Sequence, residues 1–412
     1  MKENISGTIF ASHLETGIFN RFLLELQEDV DANLLALAYR MTLIACPYFE
    51  RTIVKKNGRL IFAPDHNRCV VMPLSAIEVE EGRGPVYGKN LVQVFASENK
   101  IITGISHALT DGYGKGLFNC LLMYHYFCLK DDYEYINPYF AHATRRIEAQ
   151  MDLDVFADHL TPEIEAMPKD CEMDTCFHLP EKKEAGESAF LIEADYDRFH
   201  KLFHELSGEM GAWDQKLLPL GGSICLTLSY LMAYVIAGFH PENREPVSCR
   251  FPVNCRSLLG AEKSMRNFSH PQAVASFQPQ SFGKEVRDAL EDTLLTEGTA
   301  VLRQLSPECI GWQYSQFWKI IHGEKTEPAM DRRRDRTMLI SNVGMQYFEP
   351  HGKSYVKRVQ DLYGHFMLAI YLSGQGKKQV ISIHQMFSSD KYAKGLANLL
   401  HELGLDVSFD RI

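Results

Sequence analysis

A mostly apolar segment, residues 101–105, runs straight into Ser106-His107-Ala108-Leu109-Thr110-Asp111-Gly112, and a long apolar run follows over 113–129. That order predicts a strand, a tight loop and a helix. The junction carries a histidine and a carboxylate four residues apart, and glycine closes it. Imidazole titrates near neutral pH, so His107 is a candidate general base. Asp111 is the residue better suited to ordering the loop than to reacting, with Gly112 allowing the chain to turn. The alternative, a loop histidine bonded only to backbone, stays open on these residues alone.

The chain has 412 residues, more than one ordinary core needs and suited to two or three domains. Hydrophobic residues make up 45% and charged residues 23%, the profile of a globular chain. A net charge of −10 argues against nucleic acid as a partner, while leaving room for a local basic pocket that meets a phosphorylated cofactor. Ten cysteines are too few for a disulfide scaffold of this length. The pairs Cys171/Cys176 and Cys249/Cys255 lack zinc-site spacing, so no metal is expected and buried free thiols in a reducing cytoplasm are. The first residues lack the apolar core of a signal peptide. Residues 224–239 form the most membrane-like segment, but it is shorter than the roughly 20 residues a bilayer requires. A buried core helix is expected there, and no membrane span.

Asp31 can cap a helix with Leu34, Leu35, Ala38, Thr42 and Ala45 on one face, and Pro47 ends it. Residues 51–56 and 59–63 flank Asn57-Gly58 as a hairpin, and 91–96 and 101–105 form a second hairpin. A polar, breaker-rich stretch over 180–187 marks a domain boundary, giving an N-terminal unit 1–180 and a C-terminal unit 187–412. The second unit reads as a strand at 190–194, helices at 196–206 and 224–239, and strands at 247–253 and 273–277. A helix at 284–305 follows, then strands at 338–342, 364–372 and 380–386, and a helix at 390–403. His125 and His384 sit among aromatic and apolar residues and read as satisfied core histidines.

His-x-x-x-Asp-Gly between a strand and a helix, a quarter of the way along the chain, resembles the chloramphenicol acetyltransferase-like superfamily. That superfamily includes alcohol acetyltransferases, polyketide-associated acyltransferases and the condensation domains of peptide synthetases. Many condensation domains carry a second histidine where this chain has Ser106. Phe251-Pro252-Val253-Asn254-Cys255-Arg256 is similar to the superfamily's Pro-Val-(Asn/Asp)-x-Arg segment. Ser341-Asn342-Val343-Gly344 is similar to its Ser/Thr-Asn-x-Gly segment.

The resemblance implies an α/β fold with mixed sheets, built as a pseudo-dimer of two lobes with the site in a tunnel between them. It implies that Asp111 turns from the substrate and pairs with Arg256. It also implies that Ser341 or Asn342 donates to an oxyanion, although the same residues equally read as a turn. The cluster Arg332, Arg333 and Arg334 either meets the phosphates of coenzyme A or is a solvated charge run.

The implied activity is acyl transfer from a thioester to a hydroxyl or amine of a small molecule, without a metal or a covalent enzyme intermediate. Acyl-coenzyme A is the expected donor, and a phosphopantetheine-linked acyl group on a carrier protein is the alternative. A non-catalytic descendant that binds a ligand in the same tunnel is a further reading. Because both lobes belong to one chain, a functional monomer is expected.

Overall fold

The computed structural model describes residues 19–56, 59–64, 70–77, 90–132, 169–171, 175–182, 188–208, 222–262, 264–269, 272–321, 336–346, 355–362 and 367–412. The first half contains strand β1 (Phe19–Leu26), helix α1 (Ala32–Ala45) and strands β2 (Arg51–Lys56), β3 (Arg59–Pro64) and β4 (Val71–Pro73). Strands β5 (Val92–Ser97) and β6 (Lys100–Ser106) then lead to helix α2 (Gly112–Asp131). The second half opens with strand β7 (Ser188–Asp195), helices α3 (Tyr196–Ser207) and α4 (Ile224–Phe239), and strands β8 (Val247–Pro252) and β9 (Gln272–Phe277). Helices α5 (Leu290–Gln304) and α6 (Pro307–Ile321) follow, then strands β10 (Met338–Gln346) and β11 (Val356–Leu362). Strands β12 (Leu368–Gln375) and β13 (Lys378–Gln385), helix α7 (Lys391–Glu402) and strand β14 (Val407–Arg411) close the chain.

Two mixed sheets organise these elements. The first has the order β11-β1-β6-β5-β4, and the second the order β14-β7-β13-β12-β10-β8-β9. Strands β2 and β3 pair apart from both, with Lys56 opposite Arg59 across the expected two-residue turn, which itself lies outside the described residues. Edge strand β11 comes from the second half of the chain yet joins the first sheet, antiparallel to β1. Sheet membership therefore crosses chain order once. Residues 183–187 of the expected boundary stretch also lie outside the described residues.

Each sheet has its own apolar core. The first gathers Phe22, Leu24, Leu35, Tyr39, Ile101, Ile105, Phe118 and Leu121 between the strands and helices α1 and α2. The second packs α3, α4, α5 and α7 over the larger sheet. Burying each large aliphatic or aromatic side chain stabilises the fold by about 1.5–3 kcal/mol. Helix α4 is buried on nearly every side, from Cys225 through Ala233, which is why it lacks a polar face. Helix α1 begins at Asp31, whose carboxylate accepts from Asn33 N and Leu34 N, and it stops two residues before Pro47.

Some elements depart from their expected bounds for local reasons. The helix expected from 284 begins at Leu290. Ahead of it, Asp288 Oδ2 accepts from Glu285 N at 2.9 Å and Asp288 N donates to Glu285 O at 3.1 Å, a turn that competes with helix. Strand β10 runs past its expected end at 342 to Gln346, through a register shift between Asn342 and Gly344. Gly344 takes φ 77 there, a left-handed conformation that suits glycine. No described helix is long and apolar enough to cross a membrane.

Candidate active site

Strand β6 delivers the chain to a compact turn in which Leu109 N donates to Ser106 O at 2.9 Å. Asp111 then caps helix α2 from an extended backbone, its Oδ1 accepting from Tyr113 N at 3.2 Å and Gly114 N at 3.3 Å. A carboxylate at this position also meets the positive end of the helix dipole. A Cβ on Gly112 would lie 3.5 Å from Val343 Cγ1, ordinary contact with β10. The tighter restriction falls on Gly114, where a Cβ would stand 1.9 Å from Thr110 Oγ1. Glycine is thus needed at the third residue of the helix so that Thr110 can stay in place.

Asp111 and Arg256 form a buried two-pronged ion pair across the two halves of the chain. Arg256 Nη1 donates to Asp111 Oδ2 and Arg256 Nη2 to Asp111 Oδ1, each at 2.8 Å. The two residues are 1% and 2% exposed, so the pair is shielded from water. Guanidinium offers five N–H groups in a fixed fork, and a buried guanidinium needs all of them met. Here Nε donates to Ser264 O at 2.8 Å, Nη1 also to Asn254 Oδ1 at 3.0 Å, and Nη2 also to Arg266 O at 2.6 Å. The Tyr113 ring faces the guanidinium at 4.6 Å, which adds a cation–π contact. Asp111 Oδ2 in addition accepts from Phe268 N at 2.8 Å.

The segment 264–269 therefore does more than lead to β9. It reaches back to the histidine loop at several points. Thr110 Oγ1 donates to Met265 O at 2.6 Å, and the Met265 side chain sits in the first core. Asn267 Nδ2 donates to His107 O at 2.9 Å and lies 2.8 Å from His107 Nδ1. Ser269 N and Oγ both donate to Asn267 Oδ1, at 3.1 and 3.2 Å, which fixes the orientation of that amide. Asn267 had no distinguishing motif in the sequence. The only hint was a polar residue between Met265 and Phe268, two apolar anchors inside a loop.

His107 is half-buried, and its Nδ1 stands 3.1 Å from Thr110 O. Nδ1 faces two groups: Thr110 O accepts from it when it is protonated, and Asn267 Nδ2 donates to it when it is not. The first tautomer leaves the lone pair on Nε2, and Asn267 bonds the His107 main chain in either. Burial pushes the His107 imidazole down to about 4, against the opposing pull of the Asp111 charge and the carbonyls of Thr110 and His107 itself. Neutral imidazole is the form present at pH 7.

Two consequences follow for solution behaviour. If His107 acts as the base, kcat/KM holds level from pH 8 to about 5 and falls with an inflection near 4. An acid limb near 6.5 in the pH–rate profile would contradict the buried setting. Stability carries the same sign. The unfolded chain takes up the His107 proton near 6.5 while the folded chain resists until about 4, so this contribution is complete above 6.5 and is lost on acidification through that window.

The remaining sequence-derived residues fall as follows. Ser341 is half-buried on β10, opposite Tyr371 of β12. Asn342 is exposed, and its Oδ1 accepts from Gly344 N at 2.8 Å, closing the bulge. Arg332, Arg333 and Arg334 lie outside the described residues. His125 and His384 are not fully satisfied, because Nε2 of each is buried with no hydrogen-bond partner among the described residues.

No protein-family model and no curated protein sequence matches this chain. Solved structures do match its fold. TRI3 trichothecene 15-O-acetyltransferase from Fusarium sporotrichioides is 12% identical, with a TM-score of 0.63 over 97% of this chain and 93% of that one. F. graminearum TRI101, crystallised with coenzyme A and T-2 mycotoxin, is 9% identical, with a TM-score of 0.62 over 98% of each chain. VibH, a condensation enzyme of nonribosomal peptide synthesis, is 15% identical, with a TM-score of 0.53 over 95% of this chain and 92% of that one. The chain has the two-lobed, chloramphenicol acetyltransferase-like fold that these acyltransferases and condensation enzymes share.

Proposed function

We propose that the protein is an acyltransferase that carries an acyl group from acyl-coenzyme A to a hydroxyl or amine of a small molecule. The observation that carries this reading is the His107 ring: neutral, held through Nδ1, and mounted on a loop locked by the Asp111–Arg256 pair. His107 Nε2 takes the proton from the acceptor as its oxygen or nitrogen attacks the thioester carbonyl. The tetrahedral intermediate then expels the thiolate, which recovers the proton from the imidazolium. An ester or amide and free thiol result, and nothing else is consumed.

Asp111, Arg256 and Asn267 act as positioning residues. We assign the oxyanion to the Ser341 hydroxyl, half-buried on β10, ahead of the exposed Asn342. We assign Arg332, Arg333 and Arg334 to the coenzyme A phosphates, by the charge of the cluster alone. The structural neighbours that bind coenzyme A support this donor. Ser106, where many condensation domains have a second histidine, favours it over a carrier-bound acyl group. Eight described cysteines are free thiols and seven of them are buried, which supports a reducing, cytoplasmic setting. One chain supplies His107, Asp111, Arg256 and Asn267, so the protein works as a monomer, and specific activity that falls on dilution in step with oligomer dissociation would contradict this.

Thiol release tests the reading. Acetyl-, propionyl- and longer acyl-coenzyme A are offered with a panel of alcohols and amines, beside the same acyl groups on pantetheine and on a carrier protein. Acceptor-dependent release of coenzyme A is the expected result. Release from carrier protein alone moves the assignment to a condensation-type donor, and no release from any pairing favours a binding protein.

A positioning role for Asn267 has its own signature. Asn267→Ala removes the bond to the His107 carbonyl and frees the ring to turn. We expect kcat to fall roughly tenfold with the acyl-donor KM unchanged, the worth of about one hydrogen bond in the transition state. A change confined to thermal stability would assign Asn267 to structure alone.

A further inference from the structure

A polar band crosses the face of the second sheet that is turned away from its helix-packed core. Strand register puts Ser341 opposite Tyr371, and Tyr371 opposite Ser382, so the three side chains share that face. His384 lies two residues beyond Ser382 and shares it too, with its ring edge-on to Tyr371 at 5.8 Å. Strand β11 comes up against this face. Its Asp361 is ion-paired with Lys115 of α2 and also lies beside the His384 imidazole.

The band is buried yet incompletely satisfied. Asp361 and Ser382 are 0% exposed and His384 is 3% exposed. Even so, Asp361 Oδ2, Ser382 Oγ and His384 Nε2 have no hydrogen-bond partner among the described residues. Buried polar atoms are almost always bonded, so three unmet ones in one band point to a ligand. A carboxylate oxygen only accepts, so a complementary ligand must bring an O–H or N–H donor, while the serine hydroxyl and the neutral imidazole nitrogen each donate or accept. An ammonium is the poorer fit, because Lys115 already balances Asp361 and a second cation leaves an unpaired buried charge. Neutral hydroxyls meet all three atoms.

The band also begins beside the His107 loop. Lys115 N donates to Asp111 O at 2.9 Å, so the lysine that pairs with Asp361 is rooted one helical turn past the cap of α2, and its charge acts on the His107 ring. We propose that this band is the acceptor subsite and that it takes a neutral polyhydroxylated small molecule. Asp361, His384 and Ser382 bind hydroxyls neighbouring the one that reacts. The proposal rests on the acyltransferase reading for its place in a reaction, and stands apart from it for binding.

Binding is therefore measured first, without acyl donor. Saturation-transfer NMR is run on the full chain with myo-inositol, D-glucose, ribitol and catechol, against spermidine and 1-hexanol. We expect at least one polyol to bind, and His384→Phe and Ser382→Ala each to weaken it about fivefold to tenfold, as loss of one hydrogen bond does. Circular dichroism and coenzyme A binding confirm that the variants fold, and Ser382→Ala serves as the smaller change if His384→Phe does not. Preference for spermidine or hexanol, absence of polyol binding, or binding indifferent to both variants overturns the proposal. Polyol binding by a protein that transfers no acyl group to it leaves the subsite standing and sinks the acyltransferase reading instead.

Discussion

Replacing His107 with alanine lowers kcat by roughly 10²–10⁴-fold while the protein still folds and still binds acyl donor, the range expected when a general base is lost. The side chain is half-buried in a loop whose other bonds come from main chain and from Thr110, Asp111 and Asn267, so little packing goes with it. Steady-state thiol release and coenzyme A binding, measured on the same preparation, separate the two effects. A mutant with near-normal kcat would remove His107 from the chemistry. His107→Gln makes a sharper version, since it retains a polar side chain of similar reach but supplies no base.

Separating Asp111 from Arg256 costs about 3–5 kcal/mol of stability, because the survivor is a charge sealed from water. Arg256→Ala leaves the Asp111 carboxylate with its cap and Phe268 N–H bonds but no cation. Arg256→Lys rescues little, since an ammonium cannot reach both carboxylate oxygens and the carbonyls of Ser264 and Arg266 together. Asp111→Asn leaves the guanidinium uncompensated. Denaturant unfolding of the two single mutants and the double mutant gives the coupling, and the double mutant should lose clearly less than the sum. Additive losses would mean that the pair is not the element that joins the two halves at this site. Activity should fall in all three, through a loosened His107 loop.

The strand-loop-helix unit was legible because its signals are local. The apolar run before Ser106, the capping carboxylate at Asp111 and the glycines after it all lie within residues 101–116. Arg256 was reachable only through resemblance, as nothing in spacing links positions 145 residues apart. Asn267 was not legible at all, since its role depends on a loop folding back onto another lobe. Strand β11 escaped for a related reason: Lys357, Arg358 and Asp361 break its apolar alternation, yet Asp361 is buried by a lysine from α2. His384 read as a core residue from its neighbours. Burial was right, but satisfaction depends on what faces it across the sheet, which sequence does not encode locally.

On the proposed mechanism the acyl group passes directly from thioester to acceptor, with His107 as base. Mass spectrometry of a rapidly quenched reaction reads this in one measurement, by following intact protein, free coenzyme A and acceptor together. Direct transfer predicts equal amounts of free coenzyme A and acylated acceptor, protein of unchanged mass at every time point, and both products slowed roughly 10²–10⁴-fold by His107→Ala. Protein carrying an acyl adduct during turnover, or product formed undiminished by His107→Ala, would contradict it.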